Sequence, residues 1–286
     1  MNLLKETAKS ALTAYRTVTS RLRLLPNFII IGSARSGTTS LYNYLIQHPG
    51  IAPALHKEVH FFDYNYQRGF SWYRGQFPAL PHMYYIQTIR RQIIITGEAS
   101  PYYLFHPYVP QRVAQFLPEI KLIALLRNPI ERAFSHYCWE VDWRNEHLSF
   151  EDALEQEEER MQGVIQTLAY GKSFPHLHFS YISRGQYAEQ LERWFVCFPR
   201  EQILIIKSED MYNNPAAIFT QTLDFLHISS STIEVGNFKP EFKPYNGQKS
   251  SLHKKMLPAT RQLLAERFQP DNERLYTLLG RDFGWK

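Results

Sequence analysis

Cysteine is scarce: Cys138 and Cys197 are the only two in the 286-residue chain, and they form no C-x-x-C pair. That excludes a disulfide-built scaffold and a cysteine-based metal cluster, while a single bond between the two stays open. Long apolar runs are also missing. The longest, such as Phe28–Ile31 and Ile203–Ile206, are strand-sized and far too short to cross a bilayer. The N-terminus lacks the compact apolar stretch and cleavage site of a secretory leader, so a cytoplasmic location is expected. No block of Lys or Arg and no zinc-finger spacing occurs, and a net charge of +5 falls short of a nucleic-acid signature. With 44% apolar and 15% aromatic residues the chain has ample material for a folded core, which excludes global disorder.

The short apolar runs Phe28–Ile31, Ile93–Thr96, Leu122–Leu126 and Ile203–Ile206 read as buried strands. Helical patterns separate them at Thr39–Gln47, Pro107–Phe116, Ile130–Trp143, Phe150–Arg160, Gln186–Phe198, Pro215–Leu226 and Pro258–Phe268. The alternation predicts an α/β fold, a doubly wound parallel sheet flanked by helices, with ligands at the strand C-termini. Residues 1–26 read as a basic helix with Leu4, Ala8, Leu12, Tyr15 and Leu22 at helical spacing. It is expected to pack on the domain, with peripheral membrane contact as the rival role. Residues 27–286 read as one domain. The acidic run Glu155–Glu159 reads as a solvated helix face, and Gly163–His178 as a loop, either mobile beside the site or a plain surface connection.

What is present is a loop. An apolar run leads into Gly32-Ser33-Ala34-Arg35-Ser36-Gly37-Thr38-Thr39-Ser40 and then into helix-compatible sequence. A strand, a tight turn and a helix start hold an anion on backbone N–H groups, and Ser36, Thr38, Thr39 and Ser40 add hydroxyl donors. The spacing approaches that of a nucleoside-triphosphate loop, but Thr38 stands where lysine is needed, and Arg35 is the only cation. A kinase would also want an acidic residue on a second strand for Mg²⁺, whereas Leu122–Leu126 ends in Arg127. The phosphate site is therefore read as metal-free.

In Arg127-Asn128-Pro129-Ile130-Glu131-Arg132-Ala133-Phe134-Ser135-His136-Tyr137, Pro129 is suited to opening a helix, which puts Arg127 at a strand C-terminus. Ser135 lies two turns into that helix, so Arg127 and Ser135 together suit a clamp for a second phosphate. Arg132 reads equally as an anion contact or a partner for a carboxylate.

At these residues the chain resembles the PAPS-dependent sulfotransferases, which use 3′-phosphoadenosine 5′-phosphosulfate as donor and release 3′-phosphoadenosine 5′-phosphate (PAP). The glycine loop resembles that family's 5′-phosphosulfate loop, and R-N-P-x-E-R-x-x-S-x-Y its 3′-phosphate motif. Lys57-Glu58-Val59-His60-Phe61-Phe62-Asp63 resembles a segment of the heparan-type glycosaminoglycan enzymes, and by that resemblance Glu58 takes the place of the catalytic base. Burial among Phe61, Phe62 and nearby tyrosines is expected to strengthen it, with His60 as the rival base. Gly97-Glu98-Ala99-Ser100-Pro101-Tyr102 resembles E-K-T-P-x-Y, with Ala99 replacing a lysine that lies beside the reacting centre in the family, while Glu98 is left to orient its neighbours. Asn246–His253 loosely resembles the loop that closes over the nucleotide, with Lys249 and Ser250 as its phosphate contacts, and Leu278–Trp285 matches the family's ending L-x-G-R-x-F-x-W.

The resemblance implies transfer of a sulfuryl group from PAPS to an acceptor hydroxyl on a carbohydrate or small metabolite, without metal or nucleic acid. Arg35 would stabilise the bridging oxygen, Glu58 would take the proton, and Arg127 with Ser135 would hold the 3′-phosphate. A small-molecule kinase and a catalytically silent PAP-binding scaffold remain the alternatives.

Overall fold

The Ile- and Leu-rich runs assemble into one parallel sheet in the computed structural model, which describes residues 2–90, 93–169, 171–228, 240–243 and 255–285. The strands are β1 (Phe28–Gly32), β2 (Ile51–Pro53), β3 (Ile95–Ala99), β4 (Lys121–Leu126) and β5 (Ile203–Lys207), in the order β2-β3-β1-β4-β5. β1 is central and buried along its whole length, with Ile29 level with Glu98 on one side and Leu122 on the other. Side chains alternate between the faces. Ile29, Ile31, Leu122, Ala124 and Leu126 pack with Phe61, Phe62 and Trp194 on one side. Phe28, Ile30, Ile123, Leu125 and Ile206 pack with Leu41, Leu45, Phe219 and Leu223 on the other. Because both faces are covered, the strands carry continuous apolar runs rather than alternating ones.

Several elements differ from the sequence-based expectation. β2 shows no pattern because it is three residues long, and its terminal Pro53 is tolerated at a sheet edge. β3 begins two residues late, since Ile93 is 73% exposed, and runs on through Gly97, Glu98 and Ala99, all buried. The expected helix Phe150–Arg160 is two short helices, Phe150–Glu155 and Glu157–Arg160. Glu157 is buried rather than solvated. Its carboxylate accepts from the Ile182 and Ser183 amides at 2.6 and 2.8 Å, pinning a distant turn. The stretch expected as a loop contains the helices Val164–Leu168 and Phe174–His178, with His176 buried against Phe105 at a ring separation of 4.2 Å. The last helix, Pro258–Leu279, passes through Pro270, because Phe268 and Leu275 on either side are fully buried. Both cysteines are free thiols.

At the N-terminus the helix Asn2–Val18 is followed by a 3₁₀ turn at Ser20–Leu22. Arg16 ties it down, donating to the Gly75 and Phe77 carbonyls at 2.7 and 2.9 Å.

Candidate active site

The C-terminal ends of β1, β3 and β4 converge, and each delivers one part of the site. From β1 the chain turns through Ser33–Ser36 into the helix Thr38–Leu45. Gly37 occupies the N-cap with φ of 88°, a left-handed value that favours glycine, and it carries no side chain to close the first helical turn. An added Cβ would come within 2.4 Å of Met211 Cε. Ser36, Thr38 and Ser40 are buried under the loop. The Ser33 and Ser36 hydroxyls meet at 2.5 Å, and Ser208, just beyond β5, donates to the Ser36 carbonyl at 2.8 Å.

Arg127 follows β4 directly. Its Nη1 donates to the Arg35 carbonyl at 3.1 Å, and its own carbonyl accepts from Tyr187 Oη at 2.9 Å. Arg35 reaches the other way: Nε donates to Ser135 Oγ at 3.2 Å, and the guanidinium lies 4.6 Å over the Trp139 ring. The structure thus brings Arg35, Arg127 and Ser135 to one place. Neither arginine is in a salt bridge among the described residues. Burial, with the nearby Arg127 charge, holds the Arg35 guanidinium below its ordinary value. Two cations free of salt bridges among the described residues, beside a glycine loop, suit a multiply charged anion.

The motif around Arg127 is held by Asn128. Its side chain caps the helix Pro129–Asp142 by accepting from Ile130 N at 2.9 Å, and its N–H donates to Glu209 at 2.8 Å. Arg132 forms no ion pair among the described residues. It is fully buried with its pKa pulled down to about 10 by burial, and it donates to the Tyr181 carbonyl.

Beyond β3 lies the third part. Glu58 Oε1 pairs with Lys57, and Oε2 is 3.5 Å from His60 Nε2. His60 Nδ1 meets Asp63 Oδ2 at 2.6 Å, and its ring stacks on Tyr64 with 4.5 Å between centroids. Both Glu58 and His60 have positive φ, 63° and 53°, conformations that cost free energy outside glycine and concentrate at functional sites.

The electrostatics correct one expectation. Desolvation pushes the Glu58 carboxyl up, but the His60 hydrogen bond and the Lys57 charge outweigh it and hold the group at about 2. Desolvation likewise pulls His60 down, and Asp63 and Glu58 overcome it, leaving the imidazole at about 9. Phe61 and Phe62 do not wrap Glu58; they are fully buried and point into the core with Tyr73, while the Glu58 side chain is 40% exposed. These directions leave Glu58 a carboxylate and His60 an imidazolium at neutral pH.

Lys249 and Ser250 lie outside the described residues. Residues that the sequence reading missed are Trp139, Tyr187, Ser208 and Glu209; Tyr103, open there between core and cleft, is fully buried and its Oη accepts from the Phe61 amide at 2.8 Å. Position after a strand was a usable signal for Ser208 and Glu209, which follow β5 as Arg127 follows β4.

Comparison with known proteins agrees with this geometry. Residues 25–255 match the family model described as the sulfotransferase domain. The membrane-associated sulfotransferase kil1 of Dictyostelium discoideum is 30% identical over 94% of this chain and 68% of its own length. The mouse heparan sulfate glucosamine 3-O-sulfotransferase 3B1 is 30% identical over 91% of the chain, which spans only 65% of that relative's length. Among solved structures, a sulfotransferase from Alicyclobacillus acidocaldarius is 32% identical and superposes with a TM-score of 0.68, covering 91% of this chain and 98% of that one. The expectation of a cytoplasmic location is overturned by the similarity to a membrane-associated enzyme. No helix among the described residues is long and apolar enough to cross a membrane.

Proposed function

The chain belongs to the sulfotransferase family, and we propose that it moves a sulfuryl group from PAPS to a hydroxyl of a saccharide or small metabolite. The observation that carries this reading is the pair of guanidiniums, Arg35 and Arg127, tied to one loop and to Ser135 with no salt bridge to either among the described residues. In it, the loop from Ser36 to Ser40 holds the 5′-phosphosulfate, and Arg127 with Ser135 holds the 3′-phosphate. PAPS supplies an activated sulfur whose bond to the phosphate oxygen breaks as the acceptor oxygen bonds to it.

The chain's own residues divide the remaining work. Ser135 Oγ accepts from Arg35 Nε and keeps its own proton to donate to a phosphate on Arg127, while the Arg35 guanidinium stabilises charge developing on the bridging oxygen. Glu58 accepts the acceptor proton. Lys57 engages Oε1 in the resting site, so an acceptor hydroxyl that displaces Lys57 also removes a charge that depresses the carboxyl pKa. His60, as imidazolium, keeps Oε2 oriented and stays protonated throughout.

The saccharide class rests on the relatives, which are named for the glucosamine of heparan sulfate. Residues 27–286 act as the catalytic domain, with the first 26 peripheral to it. Thermal denaturation tests the donor site. At a hundred-fold excess over Kd, PAP is expected to add about 2.7 kcal/mol, roughly 5 °C in Tm. Equal stabilisation by Mg·ATP contradicts the reading and favours a kinase.

A further inference from the structure

We propose that Glu98 is a positioning residue that locks the Glu58–His60 segment onto the sheet, an inference that rests on the reading of Glu58 as proton acceptor. Glu98 sits on β3 with no exposed surface. Its Oε2 accepts from Ser100 Oγ at 2.7 Å and its Oε1 from Tyr103 Oη at 3.3 Å. Those two hydroxyls are the groups that hold the segment. Ser100 Oγ accepts from His60 N at 3.1 Å, and Tyr103 Oη accepts from Phe61 N at 2.8 Å and Phe62 N at 3.3 Å.

Proton counting fixes the direction of every bond. A hydroxyl has one proton and two acceptor sites. Tyr103 Oη spends both acceptor sites on the Phe61 and Phe62 amides, so its proton goes to Glu98, and Ser100 Oγ, accepting from the His60 amide, gives its proton to Glu98 at 2.7 Å. Only an acceptor-only group with two oxygens takes both, which is an ionised carboxylate. The bonds hold a backbone that resists its shape, since Glu58 and His60 both have positive φ. One more bond, from Glu58 N to the Ala99 carbonyl at 3.0 Å, anchors the segment's start on the same strand.

The groups facing Glu98 are Ser100 and Tyr103 beyond β3, His60 and Asp63 on the held segment, and Tyr73 from the helix Phe70–Arg74. Tyr42 faces it from the helix Thr38–Leu45. Burial, against hydrogen bonds that oppose it, raises the carboxyl to about 7. When Glu98 takes up a proton, one hydroxyl faces a donor and loses its acceptor; Tyr103 Oη, with both acceptor sites on amides, can meet that donor only by releasing one of them. Glutamine at this position reproduces that state permanently.

The test measures kcat and KM between pH 5.5 and 8.5 for wild type, Glu98→Gln, Ser100→Ala and Tyr103→Phe. Amide hydrogen exchange of residues 57–64 is followed in the same proteins without acceptor, so the test does not depend on turnover. Expected are an acid limb in wild-type kcat near pH 7, its absence in Glu98→Gln, and a kcat lowered roughly 10- to 100-fold, as for misplacement of a catalytic group. Acceptor KM changes less than about twofold. Segment 57–64 exchanges faster in all three variants, and in wild type below pH 7 after correction for intrinsic rates. If Glu98→Gln does not fold, the two hydroxyl variants carry the test, because each removes one link and leaves the carboxylate. An unchanged acid limb in Glu98→Gln, or wild-type protection of 57–64 at pH 8 in the variants, overturns the proposal. A wild type that sulfates nothing counts against the transfer reading alone, since the exchange result still decides the role of Glu98.

Discussion

Replacing His60 with asparagine removes the charge at the centre of the Glu58–His60–Asp63 chain while keeping a hydrogen-bond donor. The imidazole is 14% exposed and sits 2.6 Å from Asp63 and 3.5 Å from Glu58. Its pKa is raised from 6.5 to about 9 in the fold. A group whose pKa is raised on folding contributes stability that is fully present below the unfolded value, and loses it as the pH rises through the folded one. The window is therefore about pH 6.5 to 9. The separation of those values corresponds to about 3 kcal/mol at 1.36 kcal/mol per unit, an upper limit because Glu58 and Asp63 share the same interactions. Urea unfolding of both proteins at pH 6 and pH 10 gives the assay, since subtracting variant from wild type cancels the lysines and tyrosines that titrate near the upper value. The wild-type advantage should shrink by up to about 3 kcal/mol across the window. An advantage that is the same at both pH values refutes a charged His60.

Other consequences can be checked alongside. Gly37→Ala puts a Cβ at φ of 88° and 2.4 Å from Met211 Cε; a loss of about 1–3 kcal/mol is expected in urea unfolding, with weaker PAP binding by calorimetry. Asn128→Ala removes the cap on Ile130 N and should cost about 1 kcal/mol, or roughly 2 °C in Tm. Glu157→Ala strands the buried Ile182 amide and the half-buried Ser183 amide and should cost about 3 kcal/mol in the same assay. Arg127→Ala should remove the preference for PAP over adenosine 5′-phosphate in calorimetry, because only the former carries the second phosphate.

The fold and the meeting of Arg35, Arg127 and Ser135 around the glycine loop could largely be read from residues because their signals are local. The run Phe28–Ile31 followed by Gly32 and Gly37 gives a strand and a turn by itself, and Pro129 after Asn128 marks the helix that carries Ser135. What escaped was set by contacts distant in sequence. Glu157 lies in an acidic run, and only its meeting with Ile182 and Ser183 takes it out of water. The Glu58 carboxyl was expected to be strengthened by aromatic neighbours, yet Phe61 and Phe62 turn to the core, and His60 and Lys57 set its charge instead. Residues 95–99 of β3 mix a glycine and a glutamate into a buried strand, a pattern that makes sense only once Tyr103 and Ser100 are in place.

Transfer of labelled sulfate from PAPS to desulfated heparan oligosaccharides and a panel of hydroxylated small molecules, with wild type and Glu58→Gln side by side, puts the proposed chemistry to the test. The expected result is metal-independent labelling of an acceptor hydroxyl by wild type, reduced about 10²- to 10⁴-fold in the variant, as for loss of a general base. Label that reaches no acceptor, or that reaches one equally fast with Glu58→Gln, contradicts the role assigned to this site.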